Sequence, residues 1–366
     1  MNRIYLDDAG SAPLLTEVEA ALRDVPGGNP SSPHTEGRVA RAALDAARDL
    51  VASALGADRT HVTFTSSGTE AVNLAVLGAA ARLPRSGVVM TWAAEHQSVL
   101  AAARHLQAAG RAVEVATVDG QARADPDSIP KGAALVSIGL ANNEVGTVQP
   151  VAEVISAAHE RGALVHVDAC PGLRWLDLPA GADLVSISGH KLGAGRGGAL
   201  IVRDGLRLEP LQHGGPQEWG RRAGREDVAA AVAVSVALAV ATRERATRAA
   251  RAQVQSAALR EALKETGAIA TGGEPRLPGF ATSAFPDRKG EDMLLALDLA
   301  GIAASSGSAC ASGSLDPSHV LLAMGLDLRT ALGSLRLTTG YATTDEEIAR
   351  ARTIISSVLK RAQAHA

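Results

Sequence analysis

Short apolar runs along the chain alternate with longer stretches in which apolar residues recur at helical spacing. HVTF at 61–64 precedes a helical stretch over 69–82, GVVMTW at 87–92 precedes one over 98–109, and ALVSIGLA at 134–141 leads into another over 151–161. ALVHVDA at 163–169, DLVSIS at 183–188 and GALIVR at 198–203 continue the series. A buried strand shows as a short continuous apolar run, an amphipathic helix as a 3.6-residue period. Their alternation predicts βαβ units and a mostly parallel sheet covered on both faces, so the fold class is α/β. After 225 the pattern changes to one long Ala- and Arg-rich helical stretch over 227–266, and 344–363 reads as a terminal amphipathic helix. The long stretch would link a large sheet-bearing unit to a smaller C-terminal one, without a flexible hinge or an internal repeat.

Composition narrows the classes. With 366 residues, 46% of them hydrophobic, the chain exceeds one small core. A net charge of −3 gives no electrostatic footprint for direct nucleic-acid binding. The start, MNRIYLDDAG, lacks the basic and apolar regions of a signal peptide. The most apolar run, 228–241, is shorter than the ~20 residues that span a bilayer and reads as a buried helix, so no membrane association is expected. Cys170 and Cys310 are the only cysteines, which leaves no disulfide framework and no cysteine-based zinc or iron–sulfur site. No metal is expected, and a reducing cytoplasm fits. Lysine occurs only at 131, 191, 264, 289 and 360, so candidates for lysine chemistry are few.

In α/β folds ligands sit at the carboxyl ends of strands, so the polar residues that follow the apolar runs carry the candidate chemistry. TSSGTE at 65–70 ends a strand and opens a helix, and reads either as a capping box or as a phosphate-binding helix start. Asp168, at the end of a strand, could be a metal ligand, a helix cap or the partner of a pyridinium nitrogen. Lys191 closes SISGHK at 186–191 and precedes a glycine-rich turn; burial there would lower its pKa and make it usable for a Schiff base. His96 follows Glu95 after a strand and is either structural or a ring-stacking proton shuttle. Cys310 lies in SSGSACASGS at 305–314, a small, polar tract that reads as an exposed mobile loop, so its thiol reads as reactive. Cys170, at a strand end before Pro171, reads as core or pocket wall.

The ordered set TSSGTEAVN, AEHQSVL, NNEVGTVQP, HVDA, SGHK, HGGPQEWGRRAG and SSGSACASGS resembles the class V aminotransferases, which are fold-type I pyridoxal-phosphate enzymes, and within them the cysteine desulfurases of the NifS/IscS type. The resemblance runs from YLDDAG near the N-terminus through NPSSPH at 29–34 to SLRLTTG at 334–340. It implies a large cofactor-binding domain over 15–245 and a smaller α+β domain formed by 1–14 and 246–366, the latter carrying the cysteine loop. It implies pyridoxal 5′-phosphate attached to Lys191, with Asp168 on the ring nitrogen, His96 stacked on the ring and Asn143 beside the ring substituents and the substrate. Gly68, Thr69, Ser188 and His190 would hold the phosphate. Arg336 would grip the substrate carboxylate, a task suited to a planar guanidinium.

The implied reaction converts L-cysteine to L-alanine. Lys191 and His96 move the α-proton, and Cys310 takes the sulfur as a persulfide for a sulfur-acceptor protein. A homodimer is implied as well. Competing readings are a selenocysteine lyase, another C–S lyase or an aminotransferase of the same class, and, in a different class, a cofactor-free scaffold for a sulfur-relay partner. The sequence departs from the family pattern at Pro171, where a glutamine is usual, at Pro216 in place of glycine, and at Arg225, where a threonine reaches the phosphate across the dimer. YLDDAGSAP also replaces the usual YLDNAATTP, and the turn after Lys191 is about one residue short.

Overall fold

The computed structural model describes residues 3–307 and 316–363. The chain opens with β1 (Ile4–Tyr5) and helices α1 (Thr16–Arg23) and α2 (Thr35–Leu55). The next elements are β2 (Val62–Thr65), α3 (Gly68–Ala80), β3 (Val88–Trp92), α4 (Gln97–Ala108), β4 (Val113–Ala116) and β5 (Ala133–Gly139). They continue with α5 (Val151–Glu160), β6 (Leu164–Asp168), β7 (Leu184–Ser188), the short α6 (Gly189–Leu192) and β8 (Gly198–Val202). Among the described residues β2 to β8 form one seven-stranded sheet of order β2-β8-β7-β6-β5-β3-β4.

The sheet is parallel from β7 to β4, but β8 runs antiparallel to both β7 and β2. Residues 189–197 join β7 to β8, and that link is shorter than the crossover of a dozen or more residues that parallel neighbours require. The apolar run at 198–203 thus gives a strand whose direction its own composition does not reveal.

Both faces of the sheet are covered, which explains why its strands read as continuous apolar runs. Val136, Ile138, Val165, Val167, Val185 and Ile187 point to the face shared with α2 and α7. Leu135, Leu184 and Leu200 point the other way, into a cluster with α3. Full burial of each such side chain contributes ~1.5–3 kcal/mol. The edge strand β4, half exposed, has no place in the apolar pattern.

Helix α7 (Val228–Lys264) runs 37 residues. Its first half, including Val234, Ala237, Leu238 and Ala241, is buried in the main cluster. Its end, at Leu259, Ala262 and Leu263, joins a second cluster. That cluster also holds residues of β10 (Phe280–Ala284), α8 (Gly290–Leu299), β12 (Ser334–Thr338) and α11 (Asp345–Gln363). Here β9 (Ile269–Ala270), β10 and β12 form an antiparallel sheet, and β1 pairs in parallel with β11 (Ile302–Ala303). Helices α9 (His319–Ala323) and α10 (Leu328–Leu332) lie between β11 and β12 in the chain. Among the described residues no helix is long and apolar enough to cross a membrane.

Candidate active site

The carboxyl ends of the parallel strands meet at a cavity of about 280 Å³. Gly68, Thr69, His96, Asn143, Asp168 and Ser188 line it. So do His190, Lys191 and Arg336. Residues from six separate chain segments are thereby brought together. Arg225 is exposed and does not line this cavity within its own chain. Cys310 lies outside the described residues, although Gly307 on its approach is part of the wall.

At the start of α3 the two readings of TSSGTE coexist. Ser67 caps the helix by accepting the Glu70 N–H at 3.2 Å, and Glu70 reaches back to the Ser66 N–H at 2.8 Å. The cap therefore occupies Ser67 and Glu70 and leaves Gly68 and Thr69 as the first helical residues at the cavity. Position 68 has no room for a side chain: a Cβ would lie 2.7 Å from Cys170 Sγ and 2.8 Å from Ser188 Cβ. A helix start with small residues and bare backbone suits an anion.

Asp168 ends β6 and is almost fully buried. Its Oδ1 accepts the Cys170 N–H at 3.1 Å and the Ser186 hydroxyl at 2.8 Å. It caps no helix. Behind it, Ser186 Oγ lies 3.1 Å from His166 Nε2, and His166 Nδ1 lies 2.8 Å from Ser137 Oγ. Residues 137, 166 and 186 share one sheet face on β5, β6 and β7, so the register builds this relay. Burial pushes His166 down to about 4 despite the nearby Asp168 charge, so the ring is neutral. Sequence reading missed His166, whose partners come from other strands.

His96 is the N-cap of α4, its Nδ1 accepting the Ser98 N–H at 3.1 Å. In the neutral ring the proton is therefore on Nε2. Burial, with the Lys191 and His319 charges, lowers its pKa, and Asp168 opposes that shift. The structural and functional readings of this histidine are compatible, because the capped ring also faces the cavity. Its neighbour Glu95 accepts the Gly139 N–H at 3.0 Å and is pushed up to about 8, first by burial and then by Asp168.

Lys191 sits in α6, which Gly193 ends at φ 85°, a left-handed conformation that favours glycine. Its Nζ donates to the carbonyls of Ala9 and, at 3.0 Å, of Gly10. Ser188 Oγ is 2.7 Å from His190 Nδ1, and burial together with Lys191 pushes His190 down to about 4. On β12, Arg336 donates through Nη1 to the Asn143 carbonyl and through Nη2 to Asp7, both at 2.8 Å. Its backbone pairs with Ser305, so the tract that leads to Cys310 is hydrogen-bonded to the arginine's strand. Cys170 forms cavity wall, as its sequence context suggested; burial and Asp168 push its thiol well above the ordinary range.

A helix start for a phosphate, a buried carboxylate for a pyridinium nitrogen and an amine for a covalent link form a donor set that fits pyridoxal phosphate. The comparisons agree with this chemistry. The aminotransferase class-V family model matches residues 4–351, and the chain belongs to that family. The family's cofactor is pyridoxal 5′-phosphate. A cysteine desulfurase IscS from Dictyoglomus turgidum is 36% identical, over 98% of this chain and 95% of its own. A solved structure described as a NifS-like protein superposes with a TM-score of 0.91 at 30% identity, covering 98% of this chain and all of the other. A structure of SspA in complex with cysteine gives a TM-score of 0.79 at 30% identity, over 92% of this chain and 98% of that one. The fold is that of fold-type I enzymes.

Proposed function

We propose that the chain is a cysteine desulfurase that converts L-cysteine to L-alanine, with Lys191 holding the cofactor and Cys310 taking the sulfur as a persulfide. The observation that carries this reading is the convergence of Lys191, Asp168, His96 and Arg336 on one cavity that opens at the start of α3. Full-length similarity to relatives named for the same activity supports it.

When bound, the cofactor supplies an electron sink for negative charge at the substrate α-carbon. The residues of the chain do the rest. Gly68, Thr69, Ser188 and His190 would hold the phosphate, Asp168 would pair with the ring nitrogen and His96 would stack on the ring. Arg336 takes the substrate carboxylate, with Asn143 beside it, through charge-assisted hydrogen bonds. Lys191 removes the α-proton at its Nζ and returns one at the end of the reaction, with His96 as the neighbouring proton carrier. The Cys310 thiolate attacks the substrate sulfur; an S–S bond forms as the C–S bond breaks, and the electron pair left on the β-carbon takes up a proton to give the methyl group of alanine. The persulfide then passes to a sulfur-acceptor protein.

Two further elements belong to the same proposal. Arg225 would reach a phosphate only from a second copy of the chain, in a cytoplasmic homodimer. The proposed division is a large domain over 15–245 and a small one formed by 1–14 and 246–366; that the start and the end of α7 belong to different apolar clusters supports a division along this helix.

The test is cysteine-dependent formation of alanine and sulfide by the purified holoenzyme. Cys310→Ala is expected to abolish sulfide release and leave the cofactor's absorption unchanged. Full desulfurase activity in that variant contradicts the role given to Cys310.

A further inference from the structure

The amine of Lys191 is aimed by the N-terminal segment, through the carbonyls of Ala9 and Gly10. Immediately before them Asp8 turns inward and is 4% exposed. Its carboxylate accepts Arg174 Nη1 at 2.5 Å and Nη2 at 3.4 Å. Arg174 Nη1 also donates to the Lys191 carbonyl at 3.2 Å. The guanidinium lies 4.6 Å from the Trp175 ring centroid and 4.2 Å from that of Tyr341. Gly340 leaves the carboxylate its space, since a Cβ there would fall 1.8 Å from Asp8 Oδ1. Asp8, Arg174 and Lys191 border one void of about 10 Å³, the room of about one water.

A buried ion pair is a poor stabiliser, because desolvation offsets most of its attraction and an apolar pair of the same volume often does better. This pair joins the N-terminal segment, the lysine turn and the residues after β12 at one point. We propose that Asp8 and Arg174 are positioning residues for Lys191: they fix the carbonyls that aim its amine, and they set opposed charges beside it, Asp8 favouring the protonated nitrogen and Arg174 the neutral one. This rests on Lys191 being the cofactor's lysine.

Other titratable groups line the same cavity as Lys191: His190 from its own turn, His96 from the start of α4, Asp168 from the end of β6, Cys170 just after it, and Arg336, paired with Asp7 of the N-terminal segment, from β12. Burial lowers both histidines and raises the Cys170 thiol, so these three are uncharged at neutral pH. Burial pushes the Asp8 carboxyl up, and Arg174 and Lys191 pull it back. All except Asp8 and Arg174 stay constant across the variants below.

The experiment is an absorbance titration of the holoenzyme without cysteine, reading the pH midpoint at which the nitrogen linking Lys191 to the cofactor loses its proton. Asp8→Asn adds net positive charge beside it, and the midpoint is expected to fall by about one pH unit. Arg174→Gln adds net negative charge and is expected to raise it by about as much. The double variant restores the charge balance and is expected to titrate near the wild type. If Arg174→Gln does not fold, Asp8→Asn against the double variant carries the test, and the midpoint must rise when the second substitution is added. Coincident midpoints, or single variants that shift in the same direction, overturn the inference. Borohydride reduction of the wild type separates the two claims: no cofactor fixed on Lys191 refutes the reading of the site, whereas fixation with coincident midpoints refutes only this one.

Discussion

Arg336 and Asp7 are joined at 2.8 Å at the edge of the cavity, and the same guanidinium holds the Asn143 carbonyl at 2.8 Å. The fork is thus oriented by protein acceptors before any substrate arrives. A lysine lacks the planar fork of donors that can hold these two acceptors and still meet a carboxylate through two parallel hydrogen bonds. Arg336→Lys is expected to raise KM for cysteine about 10- to 100-fold, the range of a lost charge-assisted hydrogen bond. Cofactor absorption should be unchanged; steady-state kinetics alongside a spectrum checks both.

The wall opposite the helix start is equally tight. Gly68→Ala places a methyl 2.7 Å from Cys170 Sγ and 2.8 Å from Ser188 Cβ, so the helix start or these two side chains must shift. Cofactor affinity is expected to drop at least about tenfold, read by equilibrium dialysis of pyridoxal phosphate. Cys170→Ala alone is expected to keep near-normal activity, because a thiol held neutral by burial is no nucleophile at pH 7. Loss of persulfide chemistry in that variant would reassign the sulfur acceptor.

Away from the cavity, Arg48 and Glu218 form a two-bonded ion pair, both contacts at 2.8 Å, with the side chains only 3% and 1% exposed. Glu218 also accepts the Phe64 N–H at 2.8 Å, which ties the 218–220 turn to β2. Arg48→Met leaves a buried carboxylate unpaired and is expected to cost about 3–5 kcal/mol. Arg48→Met with Glu218→Gln keeps the acceptor for Phe64 without the charge and should recover more than half of that loss. Denaturant titration of the three proteins decides it.

His166 gives a pH dependence of known sign. Its pKa is depressed from 6.5 to about 4 in the folded chain, so the unfolded chain binds the proton more readily between those values. Its contribution is complete above about pH 6.5 and is lost as pH falls toward 4, on the order of 3 kcal/mol in all. His166→Asn should remove that part of the acid destabilisation, and thermal unfolding measured across this range would show a flatter profile.

The apolar runs gave away β2, β3, β5, β6, β7 and β8, because strands buried on both faces cannot alternate. Edge strand β4 was hidden by its charged and exposed positions, and α2 by the absence of a flanking run to mark it. Direction was hidden too, since β8 is antiparallel only through its short link. At the site, Lys191 stood out through the scarcity of lysines and its place at a strand end, whereas Arg336 and Asn143 came from resemblance alone. Asp7, Asp8, Arg174 and His166 act through partners far away in the chain. Asp7 meets position 336 and Asp8 meets position 174, and no local pattern carries such pairings.

The central claim is that sulfur passes from substrate cysteine to one particular thiol. Peptide mass analysis of the holoenzyme after a single turnover with cysteine tests it most directly. One added sulfur atom on the peptide containing Cys310, with the Cys170 peptide unmodified, is the predicted result. Alanine formed with no sulfur retained on Cys310, or sulfur found on Cys170 instead, would contradict the account.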